Sequence, residues 1–198
     1  MQSKNVLTTV SNWYYFIPFF GFILPYILNI TGFVIDQSAI DYYGEVHNDY
    51  RNRMLHMLML PWAAFGYSLG VPALFKLSNR SASLMRNWFY LTYICLYARI
   101  NMTITIVFAF LYTGPLILSH LYYKPTTLTA IKGITIGTGF MVTMEYIGHT
   151  IFEYQNSRVE GVMNAILYSH FYISQELTQL LTQLLTQLLT PLRTPLLA

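Results

Sequence analysis

Five histidines, His47, His56, His120, His149 and His170, stand in or beside stretches that carry almost no other ionisable group. An ionisable side chain inside an apolar segment is costly and marks a functional candidate by default. His149 has the sharpest context. In MEYIGHTIFEYQ, Glu145, His149 and Glu153 fall at i, i+4 and i+8, so a helix presents all three on one face. Imidazole and carboxylate on one face can bind a divalent cation, or the carboxylate can orient a ligating histidine. A structural hydrogen-bonded cluster, or a helix end where the charges meet water, satisfies the same spacing.

His47 and His56 form a second group in DYYGEVHNDYRNRMLHMLMLP. On one continuous helix a separation of nine residues points them to opposite faces. They converge only if the helix begins between them, where Asn48, Asp49 and Asn52 are candidate caps. His56 precedes nineteen uncharged residues, Met57 to Phe75, and is therefore embedded. A ligand pair and a combination of a water-exposed His47 with a carbonyl-bonded core His56 both fit. His120, in LILSHLYYK, reads as interfacial, and His170 lies on an apolar helix. The sequence has no glycine-rich phosphate loop and no H-E-x-x-H. The single cysteine, Cys95, sits in an aromatic segment that suits packing.

These side chains must be carried by apolar helices. Uncharged windows run from Asn5 to Ile35, Met54 to Phe75 and Ile100 to Tyr123, with lengths of 31, 22 and 24 residues. Each reaches the roughly 20 residues that cross a hydrocarbon core as a helix. Shorter windows, Gly133 to Met144 and Gly161 to Gln175, add two more hydrophobic helices. The expected fold is all-α: a polytopic transmembrane bundle of four to six hydrophobic helices. Continuous rather than alternating apolar runs argue against a β-barrel.

Trp13 to Ile35 is too long for a signal-peptide core and holds Pro18 and Pro25. It reads as a retained, kinked or re-entrant helix. Between Trp88 and Tyr123, the Gly114-Pro115 pair is the stronger breaker. The expectation is a helix from Trp88 to Tyr112 with Arg99 facing the bundle; a membrane helix from Ile100 to Tyr123 is the other option. The three units are 1–40, 41–176 and a leucine, threonine and glutamine tail, 177–198. The tail repeats every four residues, and its leucines wind slowly around a helix. It reads as an interfacial helix or as a low-complexity extension, with Pro191 and Pro195 ending any helix.

Eleven basic and eight acidic residues in 198 leave too little charge for the surface of an ordinary soluble enzyme. High hydrophobicity excludes disorder, and a net charge of +3 is too small and scattered for a nucleic-acid footprint.

The two histidine segments together resemble the small endoplasmic-reticulum membrane proteins of the fungal 2-hydroxy fatty acid dioxygenase type. Those proteins carry a tyrosine, then H-x-x-P-x-N-x-x-x-H entering a membrane helix with a later proline; here Tyr43, His47, Asn52, His56 and Pro61 match. They also carry Q-[FY]-[IV]-G-H-x-[IV]-F-E, met here from Glu145 to Glu153, and a later acidic residue that Glu176 matches. Tyr50 replaces the family proline, Glu145 replaces the glutamine, and Asn156, Ser157 and Arg158 replace an Arg-Pro-Ala.

The resemblance implies a multi-pass membrane enzyme of the endoplasmic reticulum that uses Fe(II) and O₂. Its substrate would be a long-chain 2-hydroxy fatty acid, shortened by one carbon during phytosphingosine breakdown. His47, His56 and His149 would hold the iron, with Glu145 and Glu153 completing the shell or orienting His149. Neutral imidazoles with a carboxylate suit non-haem Fe(II). A di-iron hydroxylase or desaturase needs about eight histidines in boxes that this chain lacks. A non-enzymatic lipid-binding or scaffold protein with a structural histidine cluster is the alternative.

Overall fold

The computed structural model describes residues 44–45, 47–154 and 162–193, with side chains at all of these except 162–168 and 191–193. The expected N-terminal segment, Tyr43 and the Asn156-Ser157-Arg158 stretch lie outside the described residues. Within them the chain is all-helical, with five helices and no strand: α1 (Tyr50–Leu74), α2 (Asn79–Ala98), α3 (Met102–Tyr122), α4 (Thr127–Glu145) and α5 (Val162–Arg193). A π-helical segment, Tyr146–Phe152, continues directly from α4. Two of the five, α1 and α3, are long and apolar enough to cross a membrane.

The first four helices start where a short polar side chain accepts an orphan backbone N–H. Asp49 accepts from Arg51 N at 2.7 Å, Ser78 from Ser81 N at 3.2 Å, and Thr126 from Thr129 N at 3.2 Å. Asn101 accepts from both Thr103 N and Ile104 N. Helix α1 stops in a Schellman arrangement: Lys76 N donates to Ala73 O and Leu77 N to Pro72 O, each at 3.0 Å. Lys76 adopts φ 51° there, a conformation that glycine usually supplies.

The expected break at Gly114-Pro115 does not occur. Both residues lie inside α3, and the chain breaks between Ala98 and Met102 instead. Proline at position 115 forfeits one backbone bond but keeps a helical φ. The double cap by Asn101 makes the earlier break the better satisfied one. Arg99 is therefore the exposed C-cap of α2 and does not face the bundle. Pro191 likewise lies within α5, which runs on to Arg193.

Helices α1 and α4 pack antiparallel through facing small residues. Gly66 and Gly70 on α1 meet Gly133 and Gly137 on α4 so closely that a Cβ on Gly66, Gly70 or Gly133 would strike the opposing backbone. This is G-x-x-x-G packing from both sides, the arrangement that lets apolar helices touch along their backbones. The other side of α1 meets an aromatic core of Tyr93, Tyr97, Phe108, Tyr112 and Phe171. Helix α5 packs on this core through Phe171, Ile173 and Leu177. From Leu181 to Thr190 it is exposed, including Leu184 and Leu188. Its threonines form a ladder, each hydroxyl from Thr178 to Thr190 donating to the carbonyl four residues back. That bond satisfies the hydroxyl within the helix, which explains why a repeat of four suits a helical tail.

Candidate metal centre

Because α1 starts at Tyr50, His47 lies on the approach to the helix and His56 lies two turns inside it. The helix start between the two histidines is the condition under which they can converge, and they do. Their ring centroids are 4.7 Å apart. His149, brought in by the π segment, lies 4.7 Å from His47 and 5.7 Å from His56. One ligand nitrogen from each of the three lies within 4.8 Å of the others, and all three residues are buried.

Each ligand's orientation has a local cause. His56 Nδ1 is 3.0 Å from Asn52 O. A carbonyl only accepts, so Nδ1 carries the proton and Nε2 keeps its lone pair. That Nε2 is buried without a hydrogen-bond partner among the described residues. His149 Nδ1 lies 2.8 Å from Glu153 Oε2, the carboxylate–histidine arrangement that aims the opposite nitrogen at a metal. Glu153 is itself pinned: its side chain is 5% exposed, and its Oε1 accepts from Asp49 N at 3.3 Å. Arg51 lies over the Phe152 ring at 4.7 Å. The start of α1 and the π segment are thus locked together by one carboxylate and one cation–π contact. The Asp49 carboxyl is held down near a pKa of about 2, chiefly by the Arg51 side chain and with help from backbone N–H donors.

The two glutamates take different places. Glu153 sits behind His149 on Nδ1, whereas Glu145 Oε2 is 3.7 Å from Nε2, on the ligand side. Glu145 is the more open of the two, with 35% of its side chain exposed. The π turn separates them. It inserts extra backbone where straight helical spacing would have kept both on one stripe, as π segments do at functional sites.

The site fits a metal ion. Three donors around one tetrahedral ion, at nitrogen distances of about 2.1 Å, stand about 3.4 Å apart. Donors within 4.8 Å of one another reach that spacing if each moves inward by about 0.8 Å. A buried imidazole lone pair with no donor to meet is unfavourable, and a cation satisfies it.

Three features of the site go beyond the sequence reading. The Asn52 amide is fully buried, its Nδ2 and Oδ1 have no hydrogen-bond partner among the described residues, and its Oδ1 fills the space where a Cβ on Gly148 would stand. The Tyr172 ring lies 6.3 Å from His47 and closes the site from α5. Glu176 lies 3.8 Å from Arg53, which fastens α5 to α1. The facing G-x-x-x-G pairs were the available signal for the α1–α4 contact that brings His56 and His149 together. His120 and His170 are not part of this centre. His120 Nε2 lies 2.9 Å from Asn87 Oδ1, and His170 bonds the Tyr112 hydroxyl. Comparisons with protein families, characterised proteins and solved structures give no match to this chain.

Proposed function

We propose that this protein is a multi-pass membrane dioxygenase of the endoplasmic reticulum that shortens 2-hydroxy fatty acids by one carbon at an Fe(II) held by His47, His56 and His149. The observation that carries the reading is the convergence of three buried imidazoles, from two motifs 93 residues apart in sequence (His56 to His149), each in the order and spacing of the family it resembles. The balanced reaction takes 2-hydroxypalmitate and O₂ to pentadecanoate, carbon dioxide and water.

Iron(II), when bound, supplies O₂ activation and two positions for a chelating 2-hydroxy carboxylate. The protein's share is positional. Asn52 O fixes the His56 tautomer, Glu153 fixes that of His149, and the apolar faces of α1 and α3 keep the acyl chain in lipid. Glu145, on the ligand side, is placed to carry a proton or to repel the substrate carboxylate. Palmitate is expected to be inert, because a site that engages the 2-hydroxyl rejects the analogue lacking it by a large factor. Chain-length selectivity is expected to be loose, since one methylene in an apolar groove is worth about 1–3 kcal/mol.

The closed character of the triad, with His47, His56 and His149 only 3%, 2% and 7% exposed, favours a second reading: a structural metal or hydrogen-bonded cluster in a non-enzymatic membrane protein. Structural sites are closed and catalytic sites keep an open position. The deciding experiment measures iron in the purified protein and product from 2-hydroxypalmitate with O₂. About one iron per chain with turnover, both lost in His149→Ala while membrane insertion persists, supports the enzyme. A metal-free folded protein, or iron without turnover, rejects it in favour of the structural role.

A further inference from the structure

A small cleft of about 30 Å³, open at its mouth, lies among α1, α2, α3 and α5 and shares no residue with the histidine triad. Its α1 residues, Ala64 to Ser68, stand eight to twelve positions beyond His56, or about 12–18 Å along the helix. Phe65, Phe89, Tyr90, Phe108 and Pro115 give it an apolar wall, into which Arg86 is set.

Arg86 is 2% exposed. Its Nη2 donates to His120 Nδ1 at 3.1 Å. His120 must then hold its proton on Nε2, which donates to Asn87 Oδ1 at 2.9 Å. The imidazole is thus neutral and does not add a second charge. The guanidinium also lies over the Tyr123 ring, 4.6 Å from its centre. Its Nε and Nη1 are buried with no hydrogen-bond partner among the described residues, and it takes part in none of their ion pairs. Arginine cannot discharge by losing a proton, and a buried charge without a counter-charge is strongly unfavourable. Two donors and one uncompensated positive charge at the edge of an aromatic cleft have an obvious complement: an oxyanion on a hydrocarbon chain.

We propose that this cleft seats the oxyanion of an anionic amphiphile, with its carboxylate or phosphate oxygens on Arg86 and its chain leaving by the open mouth past Phe65 and Phe89. Two of the four helices that line the cleft, α1 and α3, are long and apolar enough to enter a bilayer, which would bring such a ligand to it from lipid. The proposal does not depend on iron at the triad.

The test is equilibrium binding of radiolabelled palmitate and of dodecyl phosphate to the full chain in an uncharged maltoside detergent. Saturable binding near one per chain is expected for at least one of them. Preference for palmitate assigns a free fatty acid, and preference for dodecyl phosphate a phospholipid headgroup. Arg86→Met should weaken binding by about tenfold or more, the worth of one charge-assisted hydrogen bond. Ser68→Phe, which fills the cleft while leaving Arg86 in place, should do the same and serves if the arginine variant does not fold. His149→Ala should bind as wild type does, which separates this site from the metal centre. Equal affinity in Arg86→Met or Ser68→Phe overturns the proposal. So does hexadecanol competing as well as palmitate, or the absence of saturable binding.

Discussion

Two carboxylates flank one imidazole on opposite nitrogens, so the same residue type does two jobs at His149. Glu153 is the positioning residue. Glu153→Gln keeps the shape but loses the charge behind Nδ1, and metal affinity is expected to fall about 10–100-fold; saturating iron should then restore turnover. Metal titration followed by isothermal calorimetry checks this. Glu145 faces the ligand side at 3.7 Å. Glu145→Gln is expected to raise turnover of 2-hydroxypalmitate at neutral pH by up to about tenfold, roughly 1.4 kcal/mol of barrier, because it removes a charge that opposes the substrate carboxylate. Lower turnover in that variant would assign Glu145 to proton transfer or metal ligation. Asp49 gives a pH signature outside the membrane helix. Its carboxyl is depressed to about 2 in the fold, against an ordinary value of about 3.9. The charge therefore contributes its full stability above the ordinary value and loses it as pH falls through about 2. Acid unfolding of Asp49→Asn, which retains a capping oxygen, should show a flatter decline across that window than wild type does.

At the scale of elements, the metal centre depends on how α1 meets α4. His56 rides on α1, and His149 rides on the π turn that ends α4, so their distance is fixed by the register of the glycine contact. A Cβ at Gly133 would enter the backbone of Gly70, whereas Gly139 on the same helix has nothing within 4 Å. Gly133→Ala is therefore expected to lose about 1–3 kcal/mol through overpacking and to weaken iron binding with it. Gly139→Ala should be neutral or gain up to about 1 kcal/mol of helix propensity. Thermal unfolding of both variants in detergent, with iron content measured alongside, separates the two effects. Equal behaviour would show that the close approach does not set the site.

Across the described residues, the acidic side chains are placed unevenly. The Tyr123 hydroxyl donates to Leu77 O at 2.7 Å, so α3 ends beside the loop that closes α1. Lys76, Arg80 and Lys124 gather at that end. The carboxylates Asp49, Glu145, Glu153 and Glu176 belong to the triad end, tied there through Asp49, His149 and Arg53. Asp49 and Glu176 are paired there with Arg51 and Arg53, which leaves Glu145 and Glu153 beside His149 as the local negative charge. The tail stands apart from this centre. Helix α5 contributes Phe171, Tyr172 and Ile173 to the core, but is exposed from Leu181 to Thr190. Removing residues 182–198 is thus expected to leave iron stoichiometry and thermal stability within error of wild type. Loss of iron in the truncated chain would show that the tail supports the site.

Local chemistry was legible in the sequence wherever a few neighbouring residues decide the outcome. The charge-free windows Met54 to Phe75 and Ile100 to Tyr123 located the two described helices that are long and apolar enough to cross a membrane, and Asp49 was among three readable cap candidates because its oxygen meets a backbone N–H two residues away. The two motifs nominated His47, His56 and His149, and the helix start between the first two was a condition that spacing alone could state. Other features were decided by contacts distant in sequence. Whether Gly114-Pro115 or Asn101 broke the chain depended on a balance of caps and packing that breaker propensity does not contain. The facing glycine pairs were visible in each segment, but their partnership exists only once two helices lie antiparallel. The same holds for the division of labour between Glu145 and Glu153, which a π turn creates by leaving the helical period that sequence spacing assumes. The uncompensated charge of Arg86 likewise arises only in the fold, because burial and the absence of a nearby carboxylate are properties of the space around a residue, not of its neighbours along the chain.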